Sequence, residues 1–232
     1  MPEIEQSGEP LFSIVIPVSH AAVKLERSIA SVLAQPRELF ELIVIDKNSQ
    51  DATLEVLRAH EAHLRWISEP DIGVYDAMNK GISRTTGRYL YFLGAGDCLR
   101  AGVLAKVVSH LPKNRIGFVY GDVFMRDRNV VWDGPWNTEK FRTRTPCQQA
   151  IFYDRRIFAR HGFFEQRFKT MADYAMNIRC VGDRHIEKIH IPEIIADYEG
   201  AGYSANVPDE LFHRERPKLL KRHLGLRPER KH

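Results

Sequence analysis

Four aspartates stand where an α/β chain can do chemistry. Asp46 ends the apolar run ELIVID (41–46), and Asp71 follows Ser68-Glu69-Pro70. Asp97 closes GAGD behind the aromatic run YLYFL (89–93), and Asp173 opens a helix expected over Asp173–Val181. A strand-end carboxylate among glycines can hold a divalent cation that bridges phosphate oxygens. The same Asp in a GAGD turn can also do no more than bond its neighbouring backbone. Asp46 can cap a turn, and an Asp opening a helix can be an N-cap and nothing else.

Other chemistries fail on spacing. Gly94-Ala95-Gly96 starts a dinucleotide fingerprint, but Leu99 occupies the place of the third glycine, which removes the oxidoreductase reading. His60-Glu61-Ala62-His63 is one residue short of a zinc-protease helix, and neither a Walker A lysine nor a GxSxG elbow is present. Cys98, Cys147 and Cys180 are odd in number and widely spaced, so a zinc site or a disulfide framework is not expected and a reducing compartment is. Trp132 and Trp136, in WDGPW, can present a flat face to a sugar ring or pack a hairpin. The segment EGAGYS (199–204) reads as a flexible loop near a ligand or as an ordinary turn.

The elements that must position these residues are plain in the first hundred residues. FSIVIP (12–17) reads as a buried strand, 22–34 as a helix stopped before Pro36, and ELIVID as a second strand. Asp51 is placed to cap a helix over 52–63, and a strand at 64–68, a helix at 74–83 and the strand YLYFL follow. Strand and helix alternate, which predicts a parallel doubly wound sheet with ligands at the carboxyl ends of its strands. Beyond residue 100 the pattern changes to strands at 118–124 and 129–132 around a charged turn. A helix ending at Gly182 as C-cap and an extended stretch at 186–198 come after it.

At 232 residues, 44% hydrophobic, the chain suits one domain with its own core. No run approaches the roughly 18 apolar residues of a membrane span, and the polar start MPEIEQSGEP does not read as a signal peptide, so a cytoplasmic protein is expected. The net charge of +4 is uneven: 214–232 carries eight basic residues against Glu215 and Glu229, leaving 26 basic and 28 acidic groups elsewhere. Such a distribution is not a nucleic-acid footprint, and the tail lacks aromatics for base stacking. Leu211, Phe212, Leu219, Leu220 and Leu224 make it amphipathic, with Pro217 expected to split it into two helices. It can dock on anionic lipid at the inner face of a membrane or pack on the body.

The order of the pieces adds to this. SIVIP (13–17), VIDKNSQDAT (44–53), EPDIGVYDAMNKG (69–81) and FLGAGD (92–97) resemble, in sequence and in order, family 2 of the inverting glycosyltransferases, and 145–179 is similar to the acceptor half of that family. The resemblance spans about residues 12–205 and implies a GT-A fold: α/β, Rossmann-like, with a mostly parallel sheet, helices on both faces and a mixed acceptor-side half. It divides the chain into a terminus at 1–11, a nucleotide-binding half at 12–97, an acceptor half at 98–208 and a basic tail at 209–232. It implies metal-assisted transfer from a UDP- or GDP-sugar to a hydroxyl acceptor, lipid-linked in many members. Pro17, Val18, Asp46 and Asp71 would meet the base or ribose, Asn79 and Lys80 the ribose or phosphate, and Asp97 a Mg²⁺ or Mn²⁺ ion. Asp173 would be the base, with a helix N-terminus expected to lower its pKa. Two departures stand out: Gly96 replaces one member of the usual acidic pair, and Gln148-Gln149 stands where a His often precedes Gln. The first leaves a second reading open, a nucleotide-sugar-binding module without turnover.

Overall fold

The computed structural model describes residues 9–200 and 207–226. Among these, nine strands form one sheet in the order β3-β2-β1-β4-β8-β6-β9-β5, with β7 paired to β6. β1 (Phe12–Val18), β2 (Phe40–Asp46), β3 (Arg65–Ser68) and β4 (Tyr89–Phe92) are parallel. β8 (Ile151–Asp154) then runs antiparallel to both β4 and β6 (Ile116–Met125). β9 (Ile186–Tyr198) returns parallel to β6, with register shifts near Asp122, and also pairs β5 (Cys98–Leu99). β7 is Val130–Trp132. The mixed half begins at the β4–β8 pair.

Alternation along the strands divides the core. Phe12, Ile14 and Ile16 face α1 (Ala22–Leu33), α2 (Thr53–Ala59) and α4 (Val103–Val108). Val15, Ile43 and Ile45 face α3 (Val74–Ser83), α5 (Arg155–His161), α6 (Ala172–Gly182) and the C-terminal helix Glu210–Leu224. Strands buried on both faces need unbroken apolar runs, which is why β1 and β2 stand out in the sequence. Pro17 is tolerated because β1's pairing to β4 ends at Val15, so its missing N–H falls beyond the ladder on that side.

Local expectations fail where tertiary contacts intervene. α2 stops at Ala59 rather than 63, and Asp51 accepts the Thr53 N–H from outside the cap position, which Ala52 holds. Gly182 lies inside α6 and not beyond it; a Cβ there would stand 2.2 Å from the His223 carbonyl oxygen, so its role is close packing against the C-terminal helix. That helix runs unbroken through Pro217. An interior proline costs about 3 kcal/mol, and the burial of Phe212 and Leu220 on either side of it offsets this. Asp209 caps the helix by accepting the Phe212 N–H, while its other oxygen accepts the N–H groups of Thr170 and Met171 just ahead of α6.

Candidate active site

The carboxyl ends of β1 to β4 open on one side of the sheet, and each contributes a loop. Val18 accepts the Lys47 N–H, and Asp46 accepts the Glu69 N–H through its carbonyl, so the first three loops are laced together. The Asp46 side chain is fully buried and accepts from Ser49 N–H, Ser49 Oγ and Ser68 Oγ. It thereby ties together the loops after β2 and β3. Asp71, whose carboxyl is 5% exposed, pairs with Lys47 at 3.0 Å and accepts the Gly73 N–H.

Asn79 and Lys80, expected at the ribose or phosphate, both have partners within the chain. Both ends of the Asn79 amide bond the backbone of Phe164, which fastens α3 to the segment between α5 and α6. Lys80 Nζ donates to the Pro70 carbonyl and pairs with Glu69 and Asp76, bracing the loop that carries Asp71.

Asp97 is buried in the loop after β4. Its Oδ1 accepts the Glu199 N–H and its Oδ2 accepts from Gln149 Nε2 at 2.8 Å. Burial raises its pKa to about 6 against the pull of those two bonds, and the Glu199 carboxylate adds to the rise. Ser28 of α1 clamps the loop, donating to the Asp97 and Gly94 carbonyls and accepting the Gly96 N–H. Gly96 adopts φ +108°, and a Cβ there would lie 2.5 Å from Glu199 Oε2; one on Gly94 would lie 2.6 Å from Asp97 Oδ2. The two glycines thus leave a cradle for two carboxylates, and Glu199, paired with Lys24 at 2.7 Å, borders the place where the usual acidic partner is missing. Two hard oxygen donors suit Mg²⁺ or Mn²⁺ with phosphate and water completing the shell. Among the described residues no group of three or more His, Cys, Asp or Glu gathers as a metal cluster.

Asp173 is the second residue of α6, behind the cap at Met171, and so is not itself the N-cap. Its Oδ1 accepts the Tyr75 hydroxyl at 2.6 Å. Its pKa is raised and not lowered: burial outweighs the bonds from Tyr75 and the Tyr174 N–H. Asp97 and Asp173 are linked through the segment 147–150 and α3, since Tyr75 on α3 donates to Asp173. The Cys147 thiol is partly buried and donates to Gln149 Oε1, and desolvation pushes its pKa far up. The same segment reaches Asp97 through Gln149 and α3 through Gln148, which touches Met78. Trp136 packs on Phe141 and Trp132 sits on β7, the packing alternative for both. Of the segment EGAGYS, only Glu199 and Gly200 lie within the described residues.

Sequence reasoning passed over Tyr75, Cys147, Gln149, Glu199 and Ser28. Tyr75 lies inside EPDIGVYDAMNKG and Gln149 in the Gln-Gln pair, so both were in view without a role. Glu199 and Ser28 act through contacts 102 and 69 residues away in the chain.

A strand-end crevice with carboxylates from both halves of a mixed sheet is the architecture of a GT-A glycosyltransferase. The family model described as "Glycosyl transferase family 2" matches residues 13–171. A "PGL/p-HBAD biosynthesis glycosyltransferase" of Mycobacterium tuberculosis (strain ATCC 25177 / H37Ra) is 36% identical over 226 residues, covering 94% of this chain and 88% of the relative. The "UDP-Glc:alpha-D-GlcNAc-diphosphoundecaprenol beta-1,3-glucosyltransferase WfgD" of Escherichia coli is 32% identical over 123 residues, 52% of this chain and 49% of the relative. Among solved structures, S. aureus TarS 1-349 in complex with UDP-GlcNAc matches at TM-score 0.72 and 13% identity, over 92% of this chain and 71% of that one. The mannosyltransferase PcManGT from Pyrobaculum calidifontis, in complex with GDP-Man and Mn2+, matches at TM-score 0.66 and 20% identity, over 93% and 62%. Another TarS structure is longer, and the chain spans 42% of it. The chain belongs to glycosyl transferase family 2. Among the described residues no helix is long and apolar enough to cross a membrane.

Proposed function

We propose that the protein transfers a sugar from a nucleoside-diphosphate sugar to a hydroxyl acceptor with inversion at the anomeric carbon. The observation that carries this reading is a chain of contacts between Asp97 and Asp173: Gln149 donates to Asp97, its neighbour Gln148 touches Met78 of α3, and Tyr75 of the same helix donates to Asp173. Asp173 takes the proton of the acceptor hydroxyl as its oxygen bonds to the anomeric carbon, and the bond to the diphosphate breaks with its electrons leaving on the nucleotide. Burial makes Asp173 a stronger base than an exposed carboxylate. The donor's base and ribose lie over Pro17-Val18 and the loop held by Asp46 and Asp71. Asp97 and Glu199 would hold Mg²⁺ or Mn²⁺, which when bound neutralises charge on the departing diphosphate.

UDP or GDP is the favoured nucleotide, since two matching folds were solved with UDP-GlcNAc and GDP-Man. The E. coli relative's printed acceptor is a diphosphoundecaprenol-linked sugar, which supports a lipid-linked acceptor. Arg214, Lys218, Lys221 and Arg222 are exposed on the C-terminal helix and offer an anionic membrane surface a cationic face at the cytoplasmic side.

Thermal shift with UDP, GDP and their sugars, with and without Mn²⁺, tests the donor site: a rise in Tm larger with Mn²⁺ is expected. No shift with any nucleotide removes the reading. Asp173→Asn is expected to keep the nucleotide shift and lose transfer by at least about 100-fold; transfer at the wild-type rate would remove the base assignment.

A further inference from the structure

The crevice holds a buried hydroxyl that the reaction as described leaves without a part. Tyr75 is the second residue of α3, its ring is 5% exposed and it packs on Phe164 at 5.5 Å between centroids. Its O–H donates to Asp173 Oδ1 at 2.6 Å. The two partners come from opposite halves: α3 grows directly out of the loop carrying Asp71, and α6 belongs to the acceptor side. The bond is not needed to start α6, because Asp209 already accepts the Thr170 and Met171 N–H groups and Ala175 N–H closes on the Met171 carbonyl.

We propose that Tyr75 is the positioning residue for the base: by claiming Oδ1 of Asp173 it fixes the plane of the carboxylate and leaves Oδ2 as the oxygen that meets the acceptor hydroxyl. This rests on the reading of Asp173 as the base. In transfer the acceptor proton passes to Oδ2, and Tyr75 keeps its own proton throughout. Burial and the neighbouring carboxylate hold its phenol well above the ordinary tyrosine range.

The other groups facing Asp173 explain why this hydroxyl matters. Burial keeps Tyr153 of β8 and the Cys147 thiol protonated, and the thiol reaches Asp97 through Gln149. On its own helix the Tyr174 N–H reaches the carboxylate. Against the cost of burial, the Tyr75 hydroxyl bond to Oδ1 favours the charged form. It therefore sets both the orientation of the base and the acidity at which it becomes available. Because Tyr75 sits one helical turn from the Asp71 loop, the base is registered against the donor side of the crevice and not only against its own helix.

The test is the pH dependence of kcat with a nucleoside-diphosphate sugar as donor, for Tyr75→Phe and for a protein carrying 3-fluorotyrosine at position 75. Tyr75→Phe keeps the ring and loses the donor. It is expected to move the acid limb of kcat up by about one pH unit and to lower kcat at neutral pH about tenfold or more, with donor KM within about twofold. The fluorinated phenol has nearly the same shape and a more acidic hydroxyl, and is expected to move the acid limb down. Asp173→Asn is the reference. If it transfers at the wild-type rate, the base reading fails and this inference with it. If Asp173→Asn is inactive while Tyr75→Phe keeps the wild-type kcat and pH profile, the inference alone is overturned. A fall in kcat with an undisplaced acid limb in both variants also overturns it, since that is what a space-filling ring would give.

Discussion

Replacing Asp97 by Asn should stabilise the metal-free protein above neutral pH while abolishing its response to Mn²⁺. The Asp97 carboxyl is buried, and its pKa rises from 3.8 in the unfolded chain to about 6 in the fold. A raised carboxylate pKa means that the folded state binds more protons between about pH 4 and 6, so stability falls as pH rises through that window and the full penalty is present above it. Two pKa units at 1.36 kcal/mol each amount to about 3 kcal/mol. An Asn is never charged, and its carbonyl can still accept the Glu199 N–H. Its NH₂ faces the Gln149 Nε2 and gives back about 1 kcal/mol. The net gain of about 2 kcal/mol corresponds to a Tm about 4–8 °C higher at pH 7.5, with a flatter dependence between pH 4 and 6. Thermal denaturation across that range, with and without Mn²⁺ and UDP, measures both effects. In the wild type, metal binding must displace a proton below about pH 6, so Mn²⁺ affinity should fall up to tenfold per pH unit there. An Asp97→Asn protein with a lower Tm than wild type at pH 7.5 and the same slope between pH 4 and 6 would refute the burial argument. A retained Mn²⁺ response would refute the assignment of Asp97 as a donor atom.

Phe212→Ala should cost about 3–5 kcal/mol in urea unfolding, because the ring is fully buried and packs against Phe168 and Tyr174. Mutant stability equal to wild type would show that the C-terminal helix is an appendage. Asn79→Ala should cost about 2–4 kcal/mol by stranding the Phe164 N–H and carbonyl, while nucleotide affinity stays within about threefold. A selective loss of nucleotide binding at unchanged stability would return Asn79 to the donor site.

How far the sequence could be read depended on the range of the forces involved. β1, β2, β4, α1 and α3 were legible because a parallel strand buried on both faces must be continuously apolar and a helix resting on it must repeat at helical spacing. The positions of Asp46, Asp71 and Asp97 at strand ends followed from the same pattern. The errors came where a distant segment changes the outcome. Pro217 stays helical because Phe212 and Leu220 are buried against the body, and Gly182 is needed for the approach of His223. Asp173 is a raised and not a lowered acid because burial exceeds the influence of the helix end. The bonds of Asn79 to Phe164 and of Asp46 to serines in two loops likewise join residues that local spacing does not relate. Tyr75, Gln149 and Glu199 gain meaning only from partners that local spacing does not reveal.

Glycine at 96 and glutamate at 199 compete for one volume, so through descent the two positions are not free to drift alone. A lineage restoring an acid at 96 should carry a shorter residue at 199, and lineages keeping this glycine should retain the long acidic side chain. The same cation would then be served by two interchangeable geometries, one drawn from a single turn and the other shared between the loop after β4 and the end of β9.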